Sequence, residues 1–240
     1  ACVIAEPVMT NSCMVLPDPG FHAELRRLTR EAGTLLLIDE THTISTGPRG
    51  YTGAHGLEPD LFVAGKPVAG GVPASVWGFT GEVAQRLDLV RSQTPAGHSG
   101  MGTTLSANAL SLAAMRATLE HVMTAEAYTH MESLAGTLAA GLQAVVEQYG
   151  MAWHVVRVGA RVEFICAPGP LRNGTEAEAA HAPALEQALH LALLNRGCLI
   201  APFHNMMLVS PATTARQVES LCMAFEAAVA SLALGRFDVP

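Results

Sequence analysis

The chain has 240 residues, half of them hydrophobic and 15% charged, which supports a folded body with a sizeable core and excludes a disordered segment. Its net charge of -7 argues against nucleic acid or an anionic membrane as the main partner, and no uninterrupted apolar run approaches membrane-spanning length. Cys2, Cys13, Cys166, Cys198 and Cys222 are scattered, odd in number and free of any CxxC pair, so the composition points to a reducing compartment without structural zinc.

The first apolar run, Cys2 to Ala5, reads as a strand that Pro7 terminates. The chain enters this run with no lead-in, no initiator Met and no basic leader, so it is expected to start partway through a larger protein. Residues 9–19 read as a loop. Helical spacing starts at Phe21, with Leu25 and Leu28 on one face and Gly33 as the C-cap, and Leu35 to Ile38 is the next strand. Strand, helix and strand within this length predict a parallel crossover unit.

Thr41 to Glu58 shows no period and carries Gly47, Gly50, Gly53 and Gly56, so it reads as a long functional loop. Strands are expected over Leu61–Ala64 and Val72–Phe79, and a helix over Gly81–Arg91. A loop follows, holding His98 and Ser99. Helices are then expected over Thr104–Val122 and Ala125–Tyr149, and strands over Trp153–Val158 and Arg161–Cys166. A helix over Ala177–Asn195, strands over Cys198–Ala201 and Met206–Val209, and a helix over Thr214–Leu234 complete the chain. Residues 1–123 thus read as α/β with parallel strands, and residues 124–240 as a smaller α+β domain.

The stretch from Leu35 to Gly71 concentrates the chemistry. One apolar run ends in Asp39-Glu40 and another in Gly65-Lys66, at the strand ends where open α/β sheets place ligands. Lys66 is the only lysine, the other thirteen basic side chains being arginine. A lysine beside glycines binds phosphate in a P-loop or forms a Schiff base with a carbonyl. The P-loop reading fails because Pro67 follows the lysine where Ser or Thr must hold Mg²⁺, and no glycine stands at the required distance before Gly65. The Schiff-base reading also employs Asp39: a carboxylate buried at a strand end is costly unless paired, and a pyridinium is such a pair. The histidines show no metal-ligand spacing, and His204, in an irregular turn, is the late one worth watching.

LLLIDETH, the glycine-containing loop, LEPDLFVAGKPVAGGVPASVWGF and GTTLSANALSLAA, in that order, resemble the class III aminotransferases, pyridoxal phosphate enzymes of fold type I that include glutamate-1-semialdehyde aminomutase. The similarity extends from Glu6-Pro7 to the late segments Leu194 to Gly197 and Pro202 to Asn205. It implies the second half of the family's large, parallel or mixed-sheet domain followed by its C-terminal small domain. By that resemblance Lys66 is the Schiff-base lysine and proton shuttle, and Asp39 the partner of the pyridine nitrogen. Thr41 stands where the family usually has a valine under the ring. Thr104 matches the threonine reaching the phosphate of a neighbouring subunit's cofactor, with Thr103 as the alternative, and the helix expected there suits a dianion. Glu6 resembles the glutamate near the ring's O3′ side. His42 and Ser45 either support Asp39 or face substrate. Arg49, Arg161 and Arg172 are candidates for the substrate carboxylate, Arg49 first because it lies in the long loop. The resemblance further implies a cytoplasmic homodimer with active sites at the subunit interface. Such an enzyme moves an amino group from an amine or amino acid to an oxo acid, with amino exchange of the aminomutase kind, or another isomerase or lyase outcome, as the alternative.

Overall fold

The three apolar runs expected to lie parallel do so. In the computed structural model, which describes residues 1–11, 13–97, 101–102, 104–201 and 205–235, Cys2–Ala5 (β1), Leu35–Asp39 (β2) and Leu61–Ala64 (β3) are hydrogen-bonded side by side. Phe21–Glu31 (α1) makes the crossover from β1 to β2 and packs on β2. Its turn back is fixed by Gly33 at φ 61, a backbone geometry that glycine adopts without a Cβ penalty. Val76–Phe79 (β4) completes the sheet in the order β1-β2-β3-β4, with Ala64 opposite Val76 and Leu61 opposite Phe79.

β4 departs from expectation twice. It is shorter than Val72–Phe79 and it runs antiparallel to β3. Only residues 65–75 join the two strands, and their one regular piece is the 3-10 turn Lys66–Ala69, so no crossover helix exists to return the chain to a parallel start. The long loop after β2 is also more ordered than expected. It contains a 3-10 turn, Thr43–Thr46, and a short helix, Gly50–His55 (α2). Gly81–Ser92 (α3) matches the expected helix and is capped by the Thr80 hydroxyl. The next helix begins later than expected, at Ala109 (α4, Ala109–His121), because Asn108 caps it by accepting from the Ser111 amide.

The chain divides into two compact units. The first holds residues 1–7, 20–44 and 49–124; the second holds 8–19, 45–48 and 125–240. In the second, Ala125–Gln148 (α5) buries Tyr128, Met131, Ala135, Leu138, Leu142, Val145 and Val146, the stripe of an amphipathic helix. That stripe packs on Ala215–Ala233 (α8) and on the antiparallel strands His154–Val158 (β5) and Arg161–Ile165 (β6). Met206–Leu208 (β7) pairs with β6, and the Phe164 and Phe225 rings meet at 4.7 Å in the core. The helix expected over Ala177–Asn195 is two, Gly174–Ala179 (α6) and Pro183–Leu194 (α7). Pro183 lacks an amide proton, and Ala182 before it leaves the helical region at φ -128, ψ 70. Residues 198–201 form no strand. No helix among the described residues is long and apolar enough to cross a membrane.

Candidate active site at the strand ends

Parallel pairing brings the C-terminal ends of β1, β2 and β3 to one edge of the sheet in the first unit. Glu6, Asp39 and Lys66 therefore follow one another across neighbouring strands. Along β2, side chains alternate between faces. Leu36 and Ile38 are buried, and Glu40, continuing their phase, is fully buried, whereas Leu35, Leu37 and Asp39 are half-buried. The acidic pair is thus split: Asp39 faces one way and Glu40 the other. The expectation of a buried Asp39 is corrected by this alternation.

Glu40 is the residue that sequence reasoning missed. Its carboxylate accepts from the Thr43 hydroxyl at 2.5 Å, from the Tyr51 amide at 3.1 Å and from the Thr52 amide. Its own amide donates to Val63 O at 2.8 Å, and its carbonyl accepts from the Ile44 amide at 2.8 Å. Arg49 at the start of α2 makes no side-chain cap; the buried carboxylate satisfies those free amides instead. Gly50 is required beside it: its φ is 62, and a Cβ there would stand 2.9 Å from Glu40 Cδ and Oε2. The continuing two-residue alternation past Asp39 is the signal that would have found Glu40.

Asp39 Oδ1 accepts from the Thr41 amide at 2.8 Å, which orients the carboxylate at the strand end. The Thr41 methyl lies beside Gly65, 3.8 Å from where a Cβ would be. Lys66 sits just past β3 with φ 51, a left-handed conformation uncommon for a side-chain-bearing residue and typical of functional sites. Its side chain is solvent-exposed among the described residues. Lys66 Nζ is 2.6 Å from His42 Nε2, and His42 Nδ1 is 3.6 Å from a Glu6 carboxylate oxygen. His42 is therefore engaged with Lys66 and Glu6, a partnership that neither sequence-based role anticipated.

Other expected residues fall elsewhere. Thr104 is exposed in a turn five residues before α4, not at a helix N-terminus, because Asn108 takes the capping position. Ser45 belongs to the second unit, where its carbonyl accepts from the Ala160 amide at 3.3 Å. Arg161 is buried there and donates to Thr10 O at 2.8 Å, and Arg172 is paired with Asp18 at 2.5 Å. Arg49 is exposed and overlies Gly53. Thr103, His98, Ser99 and His204 lie outside the described residues. Among the described residues no cluster of His, Cys, Asp and Glu suits a metal ion.

A cleft of about 400 Å³ lies at the opposite end of the same strands, lined by Arg26, Arg30, Glu58 and Asp60. Its charges neutralise one another: Arg26 meets Asp60 at 2.9 Å and Arg30 meets Glu58 at 2.6 Å. The chemistry-bearing side chains are at the other edge.

Residues 1–229 match the family described as aminotransferase class-III. A crystal structure of a glutamate-1-semialdehyde aminomutase from Pseudomonas aeruginosa superposes with a TM-score of 0.92 at 51% identity, covering 96% of this chain and 52% of that one. The same protein, with a lysine replaced by alanine, has been crystallised with PMP. The glutamate-1-semialdehyde 2,1-aminomutase of Thermomicrobium roseum is 34% identical over 237 residues, 98% of this chain and 54% of the relative. A β-phenylalanine aminotransferase from Variovorax paradoxus superposes with a TM-score of 0.82 at 28% identity, over 98% of this chain and 52% of that one. The chain therefore spans about half the length of the relatives it matches.

Proposed function

The chain belongs to the class III aminotransferase family, and from that premise we propose that the protein uses pyridoxal phosphate, anchored through Lys66, to move the amino group of a small amino compound. The observation that carries this reading is the arrival of Lys66 and Asp39 at one edge of the sheet from neighbouring parallel strands. The donor set suits the group: an amine at a strained backbone position for the aldehyde, and an oriented carboxylate for the ring nitrogen.

When bound, the cofactor supplies an electron-poor ring that stabilises the negative charge left when a substrate C–H bond breaks. Lys66 would hold the cofactor covalently through its amine and, when that amine is free, would take the proton from the substrate carbon and return it at a second carbon. Asp39, its Oδ1 fixed by the Thr41 amide, would keep a proton on the ring nitrogen through its charge. Thr41 presents a branched methyl beside Gly65, a surface on which a flat ring can rest. Thr104, on its exposed turn, is proposed to reach the phosphate of a partner subunit's cofactor in a homodimer.

Two outcomes share these steps. Amino exchange within one molecule is favoured by the aminomutase names of the relatives at 51% and 34% identity. Transfer to a separate oxo acid, the outcome expected from the sequence, is favoured by the Variovorax paradoxus aminotransferase at 28%. The first is the leading reading, with the amino acid and oxo acid pair of the second as its alternative. The test uses the intact protein loaded with cofactor. The visible absorption of the anchored cofactor should disappear on adding an amine, and Lys66→Ala should abolish covalent attachment. Turnover of glutamate 1-semialdehyde without added oxo acid supports exchange, and turnover only with one supports transfer. An absorption indifferent to amines, or covalent attachment that survives Lys66→Ala, overturns the reading.

A further inference from the structure

The strand-end edge already holds one primary ammonium, that of Lys66. Its Nζ stands 2.6 Å from His42 Nε2, a hydrogen-bond distance. An ammonium has protons to give and no lone pair, so Lys66 donates and Nε2 accepts. A neutral ring that accepts at Nε2 carries its proton on Nδ1. That side of the ring faces Glu6, whose Oε2 lies 3.6 Å from Nδ1, beyond a direct hydrogen bond and within ion-pair range. An imidazole acceptor backed by a carboxylate is thus built here from the ends of neighbouring strands, and all three residues belong to the first unit. The His42 side chain is 15% exposed and that of Glu6 33%, so the pair is sheltered and still accessible.

Amino exchange between neighbouring carbons sets a demand that transfer to a separate molecule does not. With no outside acceptor, the carbonyl carbon gains a nitrogen from the enzyme before the enzyme recovers one from the neighbouring carbon. Between those events the substrate carries amines on both carbons, and the one that is not reacting needs a partner close by. Lys66 Nζ is the atom proposed to serve the reacting carbons, so a nitrogen one carbon away comes within reach of the acceptor that Nζ itself touches. Once Lys66 is engaged with the cofactor aldehyde, that acceptor suits another alkylammonium. We propose that His42 and Glu6 form the subsite for this second amino group, so that the site takes compounds bearing an amine, and not a carboxylate, beside the reacting carbon. The inference rests on the reading that Lys66 anchors the cofactor and serves the reacting carbons. A substrate ammonium donates to Nε2 and is attracted by the Glu6 charge. A carboxylate in the same place has no proton to donate to Nε2 and is repelled by Glu6, which makes the pair a selector in both directions.

Three amines on one carbon frame test the subsite in the intact, cofactor-loaded protein: 2-aminopropane, 1,2-diaminopropane and alanine. They differ only in carrying a methyl, an aminomethyl or a carboxylate beside the reacting carbon. The readout is the concentration of each that removes half of the visible absorption of the anchored cofactor. The diamine should need about tenfold less than 2-aminopropane, the worth of one charge-assisted contact, and alanine should need more. Because 2-aminopropane is the reference within each protein, a general defect in folding or in cofactor anchoring cancels from the ratio. Glu6→Gln and His42→Phe should each bring the diamine and 2-aminopropane together. A diamine that is not preferred by the unaltered protein, or a preference that survives both substitutions, overturns the subsite. A second measurement needs no cofactor and uses Lys66→Ala with ¹⁵N-labelled histidine. Adding 1,2-diaminopropane should shift the His42 ring resonances, and adding Glu6→Gln to that variant should raise the concentration required. A ring unmoved by the diamine also overturns the subsite. Each of these failures differs from failure of the functional reading, whose sign is the absence of covalent cofactor attachment at Lys66.

Discussion

Gly50→Ala tests whether the buried Glu40 carboxylate is what organises the loop after β2. The substitution meets two obstacles. Holding alanine at φ 62 costs about 1–2 kcal/mol, because Cβ crowds the backbone in the left-handed region. The new methyl would also stand 2.9 Å from Glu40 Cδ and Oε2, and crowding a packed interior in this way costs about 1–3 kcal/mol more. The carboxylate cannot retreat cheaply, since moving it releases the Thr43 hydroxyl and the amides of Tyr51 and Thr52. The two contributions separate in a double-mutant cycle with Glu40→Ala, measured by urea unfolding with tryptophan fluorescence and far-ultraviolet circular dichroism. In the unaltered background Gly50→Ala should cost about 2–5 kcal/mol; with Glu40 truncated, only the backbone part of about 1–2 kcal/mol remains. Equal costs in both backgrounds would refute the close approach of Gly50 and Glu40 and, with it, the anchoring role of the carboxylate.

Thiol labelling followed by peptide mass spectrometry should rank the cysteines by environment. Burial, aided by nearby glutamates, pushes the Cys13 thiol up to about 11, and burial pushes Cys166 up to about 12, so both should alkylate at least tenfold more slowly near neutral pH than the exposed Cys2. Comparable rates for Cys2 and Cys166 in the folded protein would contradict the packing of the second unit. His22 should make stability depend on pH in the mildly acidic range. Burial lowers its affinity for a proton, outweighing the hydrogen bond of Nε2 to Pro7 O at 2.8 Å. The unfolded chain therefore binds the proton first as pH falls, and the His22 contribution, complete above about pH 6.5, is lost as pH drops through the lower folded value. Unfolding midpoints between pH 7.5 and 5 should fall less steeply in His22→Gln, and parallel curves would refute this.

Local pattern determined a good deal of this protein. The apolar runs at Cys2, Leu35 and Leu61, and the helix spacing from Phe21, announce a parallel crossover because two short apolar runs joined through a helix of that length leave little choice. The same runs put Asp39 and Lys66 at strand ends, so the pair was legible before any coordinates. The stripe of α5 and the Thr214–Gln217 capping box at the head of α8 were likewise written in residue order, since each depends on neighbours three or four positions away. Tertiary structure decided what depends on distant partners. Nothing local says that β4 turns back antiparallel, because that depends on the absence of a helix long enough to cross the sheet. Nothing local says that Glu40 holds Tyr51 and Thr52, eleven and twelve residues away, or that His42 meets Lys66 across twenty-four. Side-chain period can assign a residue to a face, but which donor waits on that face is set only when strands far apart in the chain are brought edge to edge.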